Sequence, residues 1–441
     1  MNMLELIEKK RDGLSLSTEE IAFLVNGVTD RSIPDYQISA FLMAVLWRGM
    51  TDVETKDLTI AMAHSGQVCD LSSIPGVKVD KHSTGGVGDK VTPILLPIVS
   101  SFGVPCVKLS GRGLGFTGGT IDKFESIEGF QTSIDPDQFR EKISKCGMLL
   151  GGQTEGLAPC DKYLYALRDV TGTVPSIPLI ASSIMSKKIA GGSDAIVLDI
   201  TCGSGAFMKE RASAELLAGQ MIAIGKLAGK PVSCVLTSME QPLGRCVGNI
   251  LEMQEVYETL SGKGQEDVVK VVLTMASEML KFSEYGRDMD KDTLFDQCRE
   301  KLESGEALGK YRDLILSQGG RLDSDGCPIY VDEPFETMTV YADSDGYIGR
   351  CDALAVGEAS CLIGAGRMEK TDVIDMGAGI RLHKKTGEKV SRGEALYSLY
   401  TGSRNVVSEE RIDEALQRME NAYTIVAEPV KKPDEILGVI F

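Results

Sequence analysis

Histidine is scarce in this sequence: His64, His82 and His383 are the only three in 441 residues. A catalytic metal centre built from several imidazoles is therefore excluded. The eleven cysteines contain no C-x-x-C pair. That argues against a thiolate metal site and fits reduced, buried thiols in a cytoplasmic protein. No apolar run approaches the roughly 20 residues that a membrane-spanning helix needs. Residues 1–12 lack the apolar centre of a secretory signal. Positive charge is in the minority: 47 Lys and Arg against 64 Asp and Glu leave a net charge of −17. Such a chain repels polyphosphate backbones, so nucleic acid and anionic membranes are excluded as general partners. No G-x-x-x-x-G-K-[ST] segment occurs, so a P-loop nucleotide site has no support.

What the chain does have is glycine, 48 residues of it, much of it gathered in loops. Its length suggests roughly two or three domains. Residues 1–65 read as helical. Ser17 with Glu20 and Thr51 with Glu54 form capping boxes. Ile21, Phe23, Leu24 and Val28, then Ile38, Phe41, Leu42, Val45 and Leu46, recur at helical spacing. The helix after Thr51 is expected to run to about His64 and stop at Gly66. Beyond it, strands at 77–80, 104–109, 195–200 and 232–236 alternate with helices at 91–102 and 213–227, the pattern of a mostly parallel sheet. Residues 161–192 carry two helical patterns bracketed by Gly151-Gly152 and Gly191-Gly192. This segment reads as the chain returning to the helical lobe. From Val340 the signal is β, with strand-like alternation over 340–356 and turn residues within 377–400.

The expected fold class is α/β: a small all-helical lobe, discontinuous in sequence, beside a larger lobe with a mixed or parallel sheet and a C-terminal β-rich module. The expected division is a helical domain of residues 1–65 and 161–192, an α/β domain of 66–160 and 193–335, and a C-terminal module of 336–441.

Three glycine-rich loops each follow a strand: Lys81-His-Ser-Thr-Gly-Gly-Val-Gly-Asp-Lys90, Lys108-Leu-Ser-Gly-Arg-Gly-Leu-Gly-Phe-Thr-Gly-Gly-Thr120, and Gly203-Ser-Gly-Ala-Phe207. Glycine lets the backbone approach a ligand and aim its N–H groups at one point. A helix behind such a loop adds its positive end. The first two loops each pair a lysine and a serine with a downstream threonine: Lys81, Ser83 and Thr92, then Lys108, Ser110 and Thr120. That repetition favours an anion site over simple tight turns. Gly113-x-Gly115-x-x-Gly118 satisfies a dinucleotide pattern. Its basic, polar start and its place in a set of loops weigh against that reading. His82 lies between Lys81 and Ser83 in a loop, a setting that favours function over structure. Ser183 and Lys187 share one face of a helix, and Arg168 ends the helix before it. Alone, these three would read as a solvated basic face beside Lys188.

The segments 79–89 and 110–125, together with Leu157-Ala-Pro and Tyr165-Ala-Leu-Arg168-Asp, resemble the signatures of the thymidine/pyrimidine-nucleoside phosphorylases, and the likeness spans essentially the whole chain. The resemblance implies reversible phosphorolysis of pyrimidine nucleosides to free base and pentose 1-phosphate in nucleoside salvage, without an organic cofactor. It also implies a homodimer joined through the helical lobe. Carried over, Lys81, Ser83, Thr92, Lys108, Ser110 and Thr120 bind phosphate; His82, Arg168, Ser183 and Lys187 bind the pyrimidine; and Leu114, Tyr165, Val174, Ile180 and Phe207 line the base pocket. Lys108 resembles the broad members that accept uridine as well as thymidine, since thymidine-restricted ones tend to have methionine there. Such members hold a potassium ion, here at Gly88, Leu243, Cys246 and Glu255. Where the family often has threonine this chain has Lys90, whose ammonium weakens that cation site, and where it usually has histidine this chain has Phe116.

The chemistry agrees with the resemblance. Breaking a glycosidic bond builds negative charge on the departing base, so donors such as Arg168, Lys187 and His82 are needed at its oxygens. Phosphate held opposite acts as the nucleophile, and the two lobes close on the pair. An anthranilate-type phosphoribosyltransferase shares the general architecture, but it needs magnesium carboxylates and the loops offer only Asp89 and Asp122. A nucleoside sensor or a biotinyl-type carrier is the non-enzyme alternative, and the C-terminal turns show no convincing hairpin lysine for it.

Overall fold

Capping boxes open two of the first helices. The computed structural model describes residues 1–113, 115, 118–154, 156–369, 372–403 and 407–441. Helix α1 (Met3–Arg11) is followed by α2 (Thr18–Thr29), α3 (Asp35–Arg48) and α4 (Asp52–Ala63). Both reciprocal bonds of each box are formed, at Ser17 with Glu20 and at Thr51 with Glu54. Glu54 also accepts from Lys10 Nζ at 2.7 Å and from the Leu16 N–H at 2.8 Å, so one buried carboxylate ties α1 to the start of α4.

The chain then enters a sheet. It runs through β1 (Val79–Ser83), α5 (Val91–Ser100), β2 (Cys106–Ser110), α6 (Thr120–Glu125), α7 (Phe139–Cys146) and β3 (Met148–Gly152). Two helices follow, α8 (Pro159–Thr171) and α9 (Ile177–Ala190), before β4 (Ala195–Cys202), α10 (Arg211–Leu227) and β5 (Val232–Ser238). Cys160 and Leu164 of α8 and Leu179 of α9 share a core with Leu24, Val28, Phe41 and Met62 of the first helices. Further along α9, Ala181, Ile184 and Met185 pack instead with Leu198 of β4 and Leu217 of α10. Helix α9 therefore belongs to both lobes.

Next come β6 (Cys246–Val247), α11 (Asn249–Glu258), α12 (Glu266–Lys281), α13 (Lys291–Glu303) and α14 (Glu306–Ser317). The C-terminal part contains β7 (Phe335–Tyr341), β8 (Gly346–Cys351), α15 (Ala353–Leu362), β9 (Gly379–Leu382), β10 (Lys389–Val390), β11 (Ala395–Thr401), α16 (Glu409–Ala422), β12 (Tyr423–Val426) and β13 (Ile436–Ile440). The central sheet has the order β1-β4-β5-β13, parallel except for the last strand, and β2 pairs with β3 in parallel beside it. Two small antiparallel sheets, β10-β8-β12 and β6-β9-β11-β7, make the C-terminal module.

Three expectations change. The alternation over 340–356 ends at Cys351, because Asp352 accepts the Ala355 N–H at 2.9 Å and starts α15. Gly151 and Gly152 are not a lobe crossing but the end of β3, where Gly152 donates to the Thr132 carbonyl at 2.7 Å. The last strand, β13, leaves the C-terminal module and pairs with β5 of the central sheet.

Candidate active site

The first two glycine-rich loops leave the C-terminal ends of β1 and β2, the edge at which parallel α/β sheets take their ligands. Lys108 of β2 donates to the Lys81 carbonyl of β1, which holds the two loop bases together. Beneath them lies a buried set of charges. Lys81 Nζ stands 2.9 Å from Asp199 Oδ2 and 3.8 Å from Asp89 Oδ1. It has no solvent exposure and no acceptor in hydrogen-bonding geometry among the described residues. Burial opposes its charge, but Asp199 and Asp89 outweigh burial and hold its pKa above the ordinary lysine value. Lys108 fares differently. Burial, helped by Lys188 and Lys81, pushes its pKa down to about 7 against the pull of Asp80. Lys188 Nζ bonds Asp80 Oδ2 at 2.7 Å and the Leu109 carbonyl at 3.2 Å. It is fully buried, so the solvated basic face suggested by its neighbours in sequence does not exist.

His82 is half-buried between these lysines. Burial first, then the charges of Lys188, Lys108, Lys187 and Lys81, hold its pKa well below the ordinary value. The imidazole is neutral at physiological pH and offers one N–H donor and one acceptor. Ser83 accepts the Gly85 N–H at 3.1 Å, and Thr92 is buried in the first turn of α5. Ser110 ends β2 and Thr120 opens α6, both half-buried. The second loop is also tied to the C-terminal module. Arg367 clasps Asp122 at 2.8 and 3.1 Å and donates to the Gly113 carbonyl at 3.2 Å. The third loop has its backbone donors engaged internally: Gly203 and Gly205 donate to the Met208 and Met239 carbonyls.

From the helical side, α8 and α9 approach the same place. Lys187 donates to Asp161 at 2.6 Å and to Ser183 Oγ at 2.8 Å, one turn earlier on α9. Arg168 reaches the carbonyls of Leu179 at 3.0 Å, Val174 at 2.7 Å and Thr173 at 3.4 Å. Burial lowers its pKa from the usual guanidinium value. The half-exposed Tyr165 ring lies 5.6 Å from the Arg168 guanidinium and 5.9 Å from Lys187 Nζ. Val174 in the loop before α9 and Ile180 in its first turn are half-buried, and Phe207 is exposed beyond β4. Leu114 and Phe116 lie outside the described residues.

The oxygens at Leu243, Cys246 and Glu255 do not fit a potassium ion, because the Lys90 ammonium already binds all three. Sequence reasoning missed Asp80, Asp199 and Asp161, the carboxylates that hold the site lysines. A signal existed for Asp199. An acidic residue inside an otherwise apolar strand needs a buried cation as partner.

Residues 76–308 match the family described as Glycosyl transferase family, a/b domain. Residues 4–66 match its helical bundle domain, and 347–426 match the Pyrimidine nucleoside phosphorylase C-terminal domain. The chain is similar to the pyrimidine-nucleoside phosphorylase of Bacillus subtilis, 48% identical over 432 residues and 97% of each chain. That of Staphylococcus epidermidis is 47% identical over 425 residues and 96% of each chain. That of Geobacillus stearothermophilus is 46% identical over 444 residues and the full length of both. Among solved structures, anthranilate phosphoribosyltransferase from Thermus thermophilus superposes with a TM-score of 0.56 at 16% identity, covering 71% of this chain and 99% of that one. At that identity the likeness concerns the fold.

Proposed function

The chain belongs to the pyrimidine-nucleoside phosphorylase family, and from that premise we propose that it transfers the pentose of pyrimidine nucleosides to inorganic phosphate. The products are the free base and a pentose 1-phosphate, no organic cofactor is used, and both uridine and thymidine are substrates. The observation that carries this reading is the Lys81 ammonium: fully buried, paired with Asp199 and held charged beneath two glycine-rich loops, beside Lys108. A cation fixed at that floor favours an anion in the loops above it.

Phosphate binds between the first two loops through Lys81, Ser83, Thr92, Lys108, Ser110 and Thr120. The pyrimidine lies toward α8 and α9, against Tyr165, Val174, Ile180 and Phe207. As the glycosidic bond lengthens, negative charge collects on the base oxygens. Lys187, fixed by Asp161 and Ser183, meets that charge. Neutral His82 adds an N–H. Arg168 fixes the loop that carries Val174 and turns its remaining N–H groups to the base. Phosphate attacks the sugar from the opposite side, so no covalent enzyme intermediate is needed. The potassium ion that the resemblance implied has no part in this scheme.

Two further features belong to the reading. Tyr36 and Trp47 of α3 and Leu216 of α10 are strongly exposed. A second copy of the chain covering them would give the homodimer through the helical lobe. The chain acts in the cytoplasm, in keeping with its many free, buried cysteines. Among the described residues no helix is long and apolar enough to cross a membrane.

The fold likeness favours one alternative, a phosphoribosyltransferase using magnesium. Its carboxylates would have to be Asp89 and Asp122, and both are held by protein cations, Lys81 and the arginines 112 and 367. A substrate panel separates the two. Phosphate-dependent release of uracil and thymine from uridine, deoxyuridine and thymidine, without magnesium, supports phosphorolysis. Base exchange that needs magnesium and a pyrophosphorylated pentose overturns it.

A further inference from the structure

Three oxygens converge on one buried ammonium at the end of the first glycine-rich loop. Lys90 Nζ donates to the Leu243 carbonyl, lies 3.1 Å from the Cys246 carbonyl and 3.0 Å from Glu255 Oε2. Its side chain has no solvent exposure. The backbone closes tightly around it. At Gly88, φ +75°, an added Cβ would stand 2.6 Å from the Leu243 carbonyl oxygen and 3.2 Å from Nζ. At Gly244, φ +70°, it would stand 2.8 Å from Nζ and 2.6 Å from Glu255 Oε1. Glu255 is itself fixed, accepting the N–H groups of Arg245 at 2.8 Å and Cys246 at 2.9 Å.

Hard carbonyl oxygens with a single carboxylate are the donors a dehydrated alkali cation takes. An ammonium carries the same charge in a similar volume. A second cation here would sit in contact with the first, with both desolvated. The two are therefore mutually exclusive occupants of one site.

We propose that Lys90 is a built-in monovalent cation: this protein does without potassium, and removal of the Lys90 ammonium uncovers a potassium site. Lys90 touches no substrate in the proposed scheme and is a positioning residue. It occupies the N-cap position of α5, follows Asp89, and ties the loop between Ser83 and Thr92 to β6 and α11. The binding arms of the test stand apart from the proposed reaction. Only the activity arm rests on it.

The full-length wild type, Lys90→Thr and Lys90→Met are compared in choline chloride and in potassium chloride at equal ionic strength. Thermal unfolding and thallium-205 NMR, with thallium(I) as the potassium probe, give the readouts. The wild type is expected to unfold at the same temperature in both salts and to show no saturable thallium binding. Lys90→Thr is expected to unfold at a lower temperature in choline, to recover with potassium in a saturable way, and to bind thallium. Lys90→Met, whose side chain fills the space without charge, is expected to be destabilised and not to recover. In the activity arm, potassium lowers the phosphate KM of Lys90→Thr alone. Potassium stabilisation of the wild type, saturable thallium binding by it, or a Lys90→Thr protein indifferent to potassium overturns the proposal. If Lys90→Thr folds in neither salt, the wild-type thallium measurement decides. If the wild type phosphorolyses nothing, the proposed reaction fails while the unfolding and thallium results still stand.

Discussion

Lys81 and Asp199 face each other from adjacent parallel strands, Nζ to Oδ2 at 2.9 Å, both buried in the sheet beneath the glycine-rich loops. Asp199 is also bonded by the Thr237 hydroxyl at 2.8 Å. The pair sets a cation, balanced by its carboxylate partner, at the floor of the proposed phosphate site. Replacing Asp199 by Asn leaves that cation short of a partner, so Asp199→Asn should lose about 3 kcal/mol of stability. Urea denaturation followed by circular dichroism measures it, and an unchanged midpoint would show the pair to be dispensable.

The Lys108 ammonium gives a pH signature. Its pKa of about 7 in the fold compares with about 10.4 for a free lysine. Between these values the unfolded chain holds a proton that the folded chain has released. Lys108 therefore costs stability below neutrality, and the cost is relieved as pH rises through the window. Phosphate acts the other way, because an anion beside Lys108 draws the proton back. The phosphate KM should rise as pH rises above about 7, and Lys108→Met should flatten the part of that rise not due to phosphate itself. Lys108→Met should also impair uridine turnover more than thymidine turnover, and equal losses would remove Lys108 as a selectivity marker.

Where the lobes join, the chain has no room for a side chain at Gly66. An added Cβ would stand 2.2 Å from the Gly156 carbonyl oxygen and 2.5 Å from Pro159 Cδ. Next to it the Gln67 N–H bonds that same carbonyl at 2.8 Å. Gly66→Ala should force the crossing segments apart at a cost of about 1–3 kcal/mol. A thermal midpoint equal to wild type would contradict this packing.

Local signals were legible in the sequence and non-local ones were not. Both capping boxes are formed as their residue spacing predicts, because Ser17 with Glu20 and Thr51 with Glu54 need only one helical turn. The pairing of β13 with β5 joins Ile436 to Thr237 and leaves no mark in either segment alone. The stretch 340–356 reads as strand throughout, but one cap at Asp352 turns its last residues into helix. Lys188 read as solvated because burial depends on which strand its helix crosses, here Asp80 of β1. The conflict between Lys90 and a potassium ion was visible as residue types. That the ammonium takes all three oxygens needed coordinates.

The base side of the site makes its own prediction. Lys187 and Arg168 are the cations nearest Tyr165 on the helical side. Lys187→Ala should lower kcat/KM for uridine by about 100-fold or more, because the departing base loses its charge stabiliser. Arg168→Ala should do the same and also loosen the loop at Val174. Steady-state assays giving near-wild-type efficiency for both would remove them from the mechanism.

The most direct measurement is phosphorus-31 NMR of uridine turnover by the wild type and Lys81→Met, with circular dichroism to verify the fold of each. The wild type should form pentose 1-phosphate and uracil in equal amounts only when inorganic phosphate is present, and Lys81→Met should form neither. Base release without phosphate, or undiminished pentose 1-phosphate formation by a folded Lys81→Met protein, would contradict the account.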